Sequence, residues 1–235
     1  MVCDTLIYHP SVFRLVSLLD STAGREKVLR LLQYLCRFLG YQYSSILAKK
    51  LQAEFTTVRK ILRFLKPLNH LQAASKFYDN KITNDNVVRW CNVLKNLAYA
   101  GYLTLDQINL LRILRLVPAT KITGVKVPKW ANWCWLAGLV SGLALDLRKL
   151  QVSQDRIRAL TAKGDHSVDE KHSTAVEVAS HYSDRSAALK RLLWDSLDTF
   201  IVMNNLKFID SPDGSIGLAG VATSLFGLQG VWEAA

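Results

Sequence analysis

Leu47, Leu51, Phe55, Val58, Leu62 and Leu65 recur at steps of four, four, three, four and three. That spacing holds one narrow apolar face through five helical turns, so Leu47–Lys66 is expected to be an amphipathic helix. Lys49, Lys50, Arg59, Lys60, Arg63 and Lys66 lie beside or behind the stripe, and Glu54 is the one acid of the segment. Such a helix suits an anionic membrane surface, with apolar side chains at the headgroup–acyl boundary and cations on the phosphates. The six apolar residues are therefore the candidate membrane-inserting face, and the six cations the candidate anionic-lipid contacts. Packing of the same stripe into a protein core is the alternative. Phe64 falls on the polar side, which suggests that the helix also meets protein, a second copy of the chain included. Pro67 ends or kinks the helix. Leu68, Leu71, Ala74 and Tyr78 continue the pattern briefly, up to Asp79 and Asn80.

Two stretches lack charge for long enough to enter a bilayer. Trp130–Leu145 has 16 uncharged residues, about 24 Å of helix against a hydrocarbon core of about 30 Å. Snorkelling of Lys126 and Lys129 can supply the difference, and Trp130, Trp133 and Trp135 cluster at one end, as indoles do at interfaces. Gly214–Trp232 has 19 uncharged residues, about 28 Å of helix. Both are span candidates, with a buried helical hairpin as the alternative. Gly138 and Gly142 form a GxxxG, a candidate helix-packing motif.

Charge is unevenly spread. Up to Leu145 there are 20 Lys and Arg against 7 Asp and Glu; Asp146–Asp213 has 10 against 11. The positive-inside tendency then places the N-terminal region on the cytosolic side. The net charge of +11 admits nucleic acid as a partner, but that reading leaves the apolar stretches unexplained, so no nucleic-acid role is expected. Met1–Pro10 lacks the pattern of a secretory signal. Cys3, Cys36, Cys91 and Cys134 are widely spaced and read as reduced thiols. The histidines do not stand at paired metal-ligand spacing, and phosphate-loop, dinucleotide and nucleophile-elbow motifs are missing. Asp195 and Asp198 share a helix face beside Trp194 and read as a solvated or lumen-facing edge, not an acid–base pair. No catalytic, cofactor-binding or metal-binding residues are expected, and no enzyme activity.

Elsewhere the 3.6-residue period recurs. Val28, Leu31, Leu32, Leu35 and Leu39 form an apolar stripe opposite Arg30, Gln33 and Arg37. Asn86–Gly101 reads as helical. Thr104 and Gln107 read as a capping box opening a new helix before Ile108. Thr161–Thr174 is polar and aperiodic, a loop. A last amphipathic helix runs from about Ser183 to Asn204. The class is all-α: amphipathic helices on a membrane surface plus one or two membrane-spanning helices. The expected organisation is a basic helical region (1–125), a first span with its flanks (126–150), a polar loop and amphipathic helix (151–213), and a C-terminal span candidate and tail (214–235).

Several long segments resemble the fungal branch of the peroxin-11 family: CDTLIYHPSVFRLVSLLD, AGREKVLRLLQYLCRFL, FTTVRKILRFLKPLNHLQAASKFYDN, NWCWLAGLVSGLALDLRKLQ and DRSAALKRLLWDSLDTFIVMNNL. The resemblance covers nearly the whole chain in order. It implies an integral protein of the peroxisomal membrane that elongates the membrane before fission, self-associates and helps recruit the fission machinery. The family's membrane-tubulating amphipathic helix matches Leu47–Lys66 here. It also implies an alternative, a pore for small metabolites, for which Asn132, Ser141, Thr223, Ser224 and Gln229 are candidate polar lining.

Overall fold

A computed structural model describes residues 8–80, 85–162 and 168–234, with side chains outside 162–176. Among the described residues eight α-helices make up the fold: α1 (Pro10–Asp20), α2 (Thr22–Gln42), α3 (Ile46–Leu62), α4 (Lys66–Asp79), α5 (Asn86–Ile113), α6 (Val127–Ala162), α7 (Val168–Asn205) and α8 (Asp213–Glu233). Among the described residues there is no strand. A π-helical segment, Ile122–Lys126, leads into α6.

The helices close into a ring. α2 packs on α8, α8 on α7, α7 on α6, α6 on α5, and α3 bridges α5 back to α2. α4 lies along α5, and α1 sits on α2 and α8. Two joints explain local features of the sequence. Ser21 caps α2 by accepting a hydrogen bond from the Gly24 amide at 2.9 Å. Gly24 has no room for a side chain, because a Cβ there would stand 1.9 Å from the Leu18 carbonyl oxygen. Between α3 and α4, Leu65 takes a left-handed conformation at φ 61, and Pro67 follows in the first turn of α4. The helix expected over Leu47–Lys66 therefore ends at Leu62, and the expected continuation is α4.

Three boundaries differ from expectation. Asn86–Ile113 is one unbroken helix. The Thr104 hydroxyl donates to the Ala100 carbonyl at 2.8 Å and does not cap a new helix. Part of the expected Thr161–Thr174 loop is helical, since α6 runs to Ala162 and α7 starts at Val168; residues 163–167 lie outside the described ones. Trp130–Leu145 is the first half of the 36-residue α6 and not a separate span. Its Ala131, Leu139 and Leu145 are buried, and α6 continues without a break into Asp146, Arg148 and Lys149. Among the described residues, Asp213–Glu233 is the one helix long and apolar enough to cross a membrane, and nearly half of its most apolar window is buried in the bundle.

α8 is held by its glycines. Gly214, Gly217, Gly220 and Gly227 face Tyr41, Phe38, Tyr34 and Lys27 of α2 in turn. The two backbones approach closely, as small residues permit. Arg37 ties the start of α8 to α2 through Asp213 at 2.6 Å. Beside this contact lies a small core of Tyr34, Ile201, Ile216 and Ala219.

Candidate membrane-contact surface

Charged side chains turn into the ring on several helices, and α3 shows this inversion most clearly. Ser45 caps the helix, its hydroxyl accepting from the Ala48 amide at 3.3 Å. Arg59 and Lys60 occupy its last turn, where the carbonyl end of the helix dipole favours cations. Both point into the ring and are only 8 % exposed. Arg59 donates to Glu26 of α2 from Nε (3.0 Å) and Nη2 (2.7 Å), and its other terminal nitrogen reaches Gln33. Lys60 and Arg63 share Asp106 of α5, at 2.8 and 2.9 Å. Arg63 also lies at 3.3 Å from the Tyr102 hydroxyl. Burial alone would raise the Glu26 carboxyl, but the cations Arg59, Lys27 and Arg63 together outweigh it and hold the group at about 2.

The same inversion runs through α2 and α7. Arg30, Glu26 and Tyr34 are buried, while Leu35, on the apolar stripe, is exposed. Arg30 reaches Asp198 and donates to Thr223 of α8 at 3.0 Å. Asp195 is 1 % exposed, not solvated. Lys95 (3.4 Å) and Arg191 (3.1 Å) compensate it, so the Asp195–Asp198 pair supplies counter-charge to the interior.

The apolar face of α3 points outward. Leu47 is 67 % exposed, Leu51, Val58 and Leu65 are exposed, and Phe55 and Leu62 are half-buried. Ile46, Ile61, Phe64, Leu68 and Leu71 extend this surface across the joint onto α4. Phe64 lies in that joint, where the left-handed Leu65 interrupts the helical register, so the expected "polar side" does not exist at its position. Lys49 and Lys50 remain exposed and Lys66 is half-buried. Arg59, Lys60 and Arg63 are a correction: in this structure they are partners of Glu26 and Asp106, not outward contacts. The reason is energetic. Two carboxylates already lie inside the ring, and each would carry a large desolvation penalty unpaired.

Gly138 and Gly142 both pack within the chain. Gly138 stands against Ala98 and Tyr99 of α5, and Gly142 lies beneath the Lys95–Asp195 pair. Of the described cysteines, Cys36, Cys91 and Cys134 are free thiols. Glu26 and Asp106 are site residues that the sequence pattern does not single out. Their one available signal was that each is an isolated acid on a basic, mainly apolar helix.

Charges turned inward and large apolar side chains turned outward on most helices are the pattern of a protein that meets lipid. A family model described as Peroxisomal biogenesis factor 11 (PEX11) matches residues 12–232. The chain belongs to that family. It is 61% identical, over the full length of both chains, to a protein named Peroxisomal membrane protein PMP27 from Saccharomyces cerevisiae. It is 38% identical to Peroxisomal membrane protein PMP30A of Candida boidinii, covering 100% of this chain and 99% of that one. With Peroxisomal biogenesis factor 11 of Schizosaccharomyces pombe it shares 24% identity over 95% of this chain and 96% of the other. No solved structure matches. These relatives are membrane proteins and biogenesis factors of the peroxisome, which agrees with the resemblance of the five long segments.

Proposed function

We propose that the chain is an integral protein of the peroxisomal membrane, with a cytosolic N-terminus, that bends and elongates the membrane during peroxisome proliferation. The observation that carries this reading is the exposed apolar surface of α3 and α4, from Ile46 to Leu71. Laid into one leaflet, that surface acts as a wedge, and self-association supplies the density that curvature requires. Elongated membrane is the substrate on which fission machinery acts.

The inward turn of Arg59, Lys60 and Arg63 changes the balance of forces. Six apolar side chains partly buried in lipid contribute on the order of 6 kcal/mol. Lys49 and Lys50 add about 1 kcal/mol each against anionic lipid. Apolar insertion therefore dominates, and salt should weaken binding only mildly. With Leu47→Glu and Leu51→Glu together, tubulation of anionic vesicles, scored by electron microscopy, is expected to fall at least about ten-fold. Undiminished tubulation by that variant would contradict the wedge. A second reading, a pore for small metabolites, is favoured by the charged cavity inside the ring. Solute flux across proteoliposomes, compared with tubulation by the same preparation, separates the two.

A further inference from the structure

The ring encloses a half-open cavity of about 400 Å³ between α2 and α3–α7, a volume typical of sites for small organic ligands. Eight cationic side chains line it, against three carboxylates, Glu26, Asp106 and Asp198. Two more carboxylates reach lining cations from outside the wall, Asp213 to Arg37 and Asp195 to Arg191. Five carboxylates for eight cations leave three positive charges uncompensated. One is the surplus on Asp106, which serves both Lys60 and Arg63. The others are Lys27 and Lys66. The Lys27 ammonium stands 4.0 Å from Glu26, a carboxylate already held by Arg59, and 5.3 Å over the Trp194 ring. Lys66 has no ion pair among the described residues. The Arg30 Nε is a buried donor without a hydrogen-bond partner, on a side chain 10 % exposed.

A partly buried excess of positive charge is costly unless something of opposite sign enters. Burial and the neighbouring Arg30, with Lys66 and Arg59 behind it, push the Lys27 ammonium down to about 8. One carboxylate would answer one charge. A phosphate ester brings about two charges and three acceptor oxygens to arginine and lysine donors. Tyr99, Tyr102 and Trp135 offer apolar wall beside those donors.

We infer that the cavity inside the helical ring is a binding site for a phosphate-bearing anion, held by Lys27, Lys66 and Arg30. The site is distinct from the outward face of α3 and does not depend on membrane deformation. The phosphate can belong to a soluble ester or to a phospholipid headgroup.

The test is calorimetric titration of pyrophosphate into the full-length protein in detergent, at fixed ionic strength, with sodium chloride as the reference. Saturable binding is expected. Lys27→Gln and Lys66→Gln should each weaken it roughly ten-fold, as loss of a charge-assisted contact does. Lys76→Gln, at an exposed position on α4, should leave it unchanged. Neither cavity variant should lower Tm in the absence of anion, because each removes an uncompensated charge; a merely structural lysine would lower it. Heats no larger than those of chloride, or equal affinity in the cavity variants, would overturn the proposal. Glycerol 3-phosphate and dihexanoyl phosphatidic acid, each titrated into the parent protein and Lys27→Gln, distinguish the sources. Tighter Lys27-dependent binding of the lipid assigns a headgroup, and equal or weaker binding of it assigns a soluble ester; both outcomes support the phosphate site.

Discussion

Replacing Asp106 by asparagine is expected to destabilise the chain by about 3–5 kcal/mol, the cost of stranding buried charge. Asp106 is the only carboxylate paired with Lys60 and Arg63 among the described residues; Lys60 is buried with it, and the Arg63 side chain is 14 % exposed. Asparagine preserves the shape and a hydrogen-bond acceptor but removes the counter-charge, so two cations are left facing each other. For a chain of this length the loss corresponds to a fall in Tm of roughly 10 °C, readable by circular dichroism in detergent. The triple variant Asp106→Leu, Lys60→Met, Arg63→Met should recover most of it, since an apolar replacement of a whole buried cluster is close to neutral. An unchanged Tm in Asp106→Asn would mean that Lys60 and Arg63 do not face the interior.

Gly220→Val is expected to cost about 3 kcal/mol or more, at the upper end of overpacking effects. A Cβ at this position would stand 2.1 Å from Cγ and Cδ1 of the Tyr34 ring. The ring has nowhere to withdraw: Tyr34 is buried against Ile201, Ile216 and Ala219, with the Arg30 guanidinium 5.7 Å above it. Either α2 and α8 part or the ring leaves its rotamer. Gly220→Ala combined with Tyr34→Ala should recover part of the loss. Gly230→Ala, where nothing lies within 4 Å, should be neutral or slightly stabilising. Thermal unfolding of the three variants side by side checks the expectation, and equal Tm values for Gly220→Val and the parent would contradict the α2–α8 contact.

Much of the fold was legible because helical periodicity is a local property. The stripe from Leu47 to Leu65, the stop before Pro67 and the uncharged Gly214–Trp232 segment each mark a helix found in the structure. Which face of a helix turns inward is a different matter. A helical wheel separates Leu47, Leu51 and Val58 from Arg59, Lys60 and Arg63, but it is symmetric to exchange of inside and outside. The choice is made by Glu26, 33 residues before Arg59, and by Asp106, 43 residues after Arg63. Those pairings leave no trace in the local pattern. The same limit explains Trp130–Leu145. Its uncharged run resembles a span, yet α6 is shared between apolar packing on α5 and α7 and the charged turn at Asp146–Lys149. Thr104 misled for the opposite reason: its hydroxyl satisfies a carbonyl inside a continuous helix, and sequence alone gives that the same signature as a cap.

On the proposed function, α3 turns its apolar face to lipid and its cations away from it. Val58 and Thr56 sit two residues apart on that helix, Val58 exposed and Thr56 on the cavity wall. In a chain whose four native cysteines are replaced by alanine, a single cysteine at 58 or at 56 can carry an environment-sensitive fluorophore. The protein is then reconstituted in vesicles containing doxyl-labelled lipid. If the apolar face meets the bilayer, the probe at 58 is strongly quenched and the probe at 56 is not. Equal quenching, or stronger quenching at 56, would show that the helix presents its other face to the membrane.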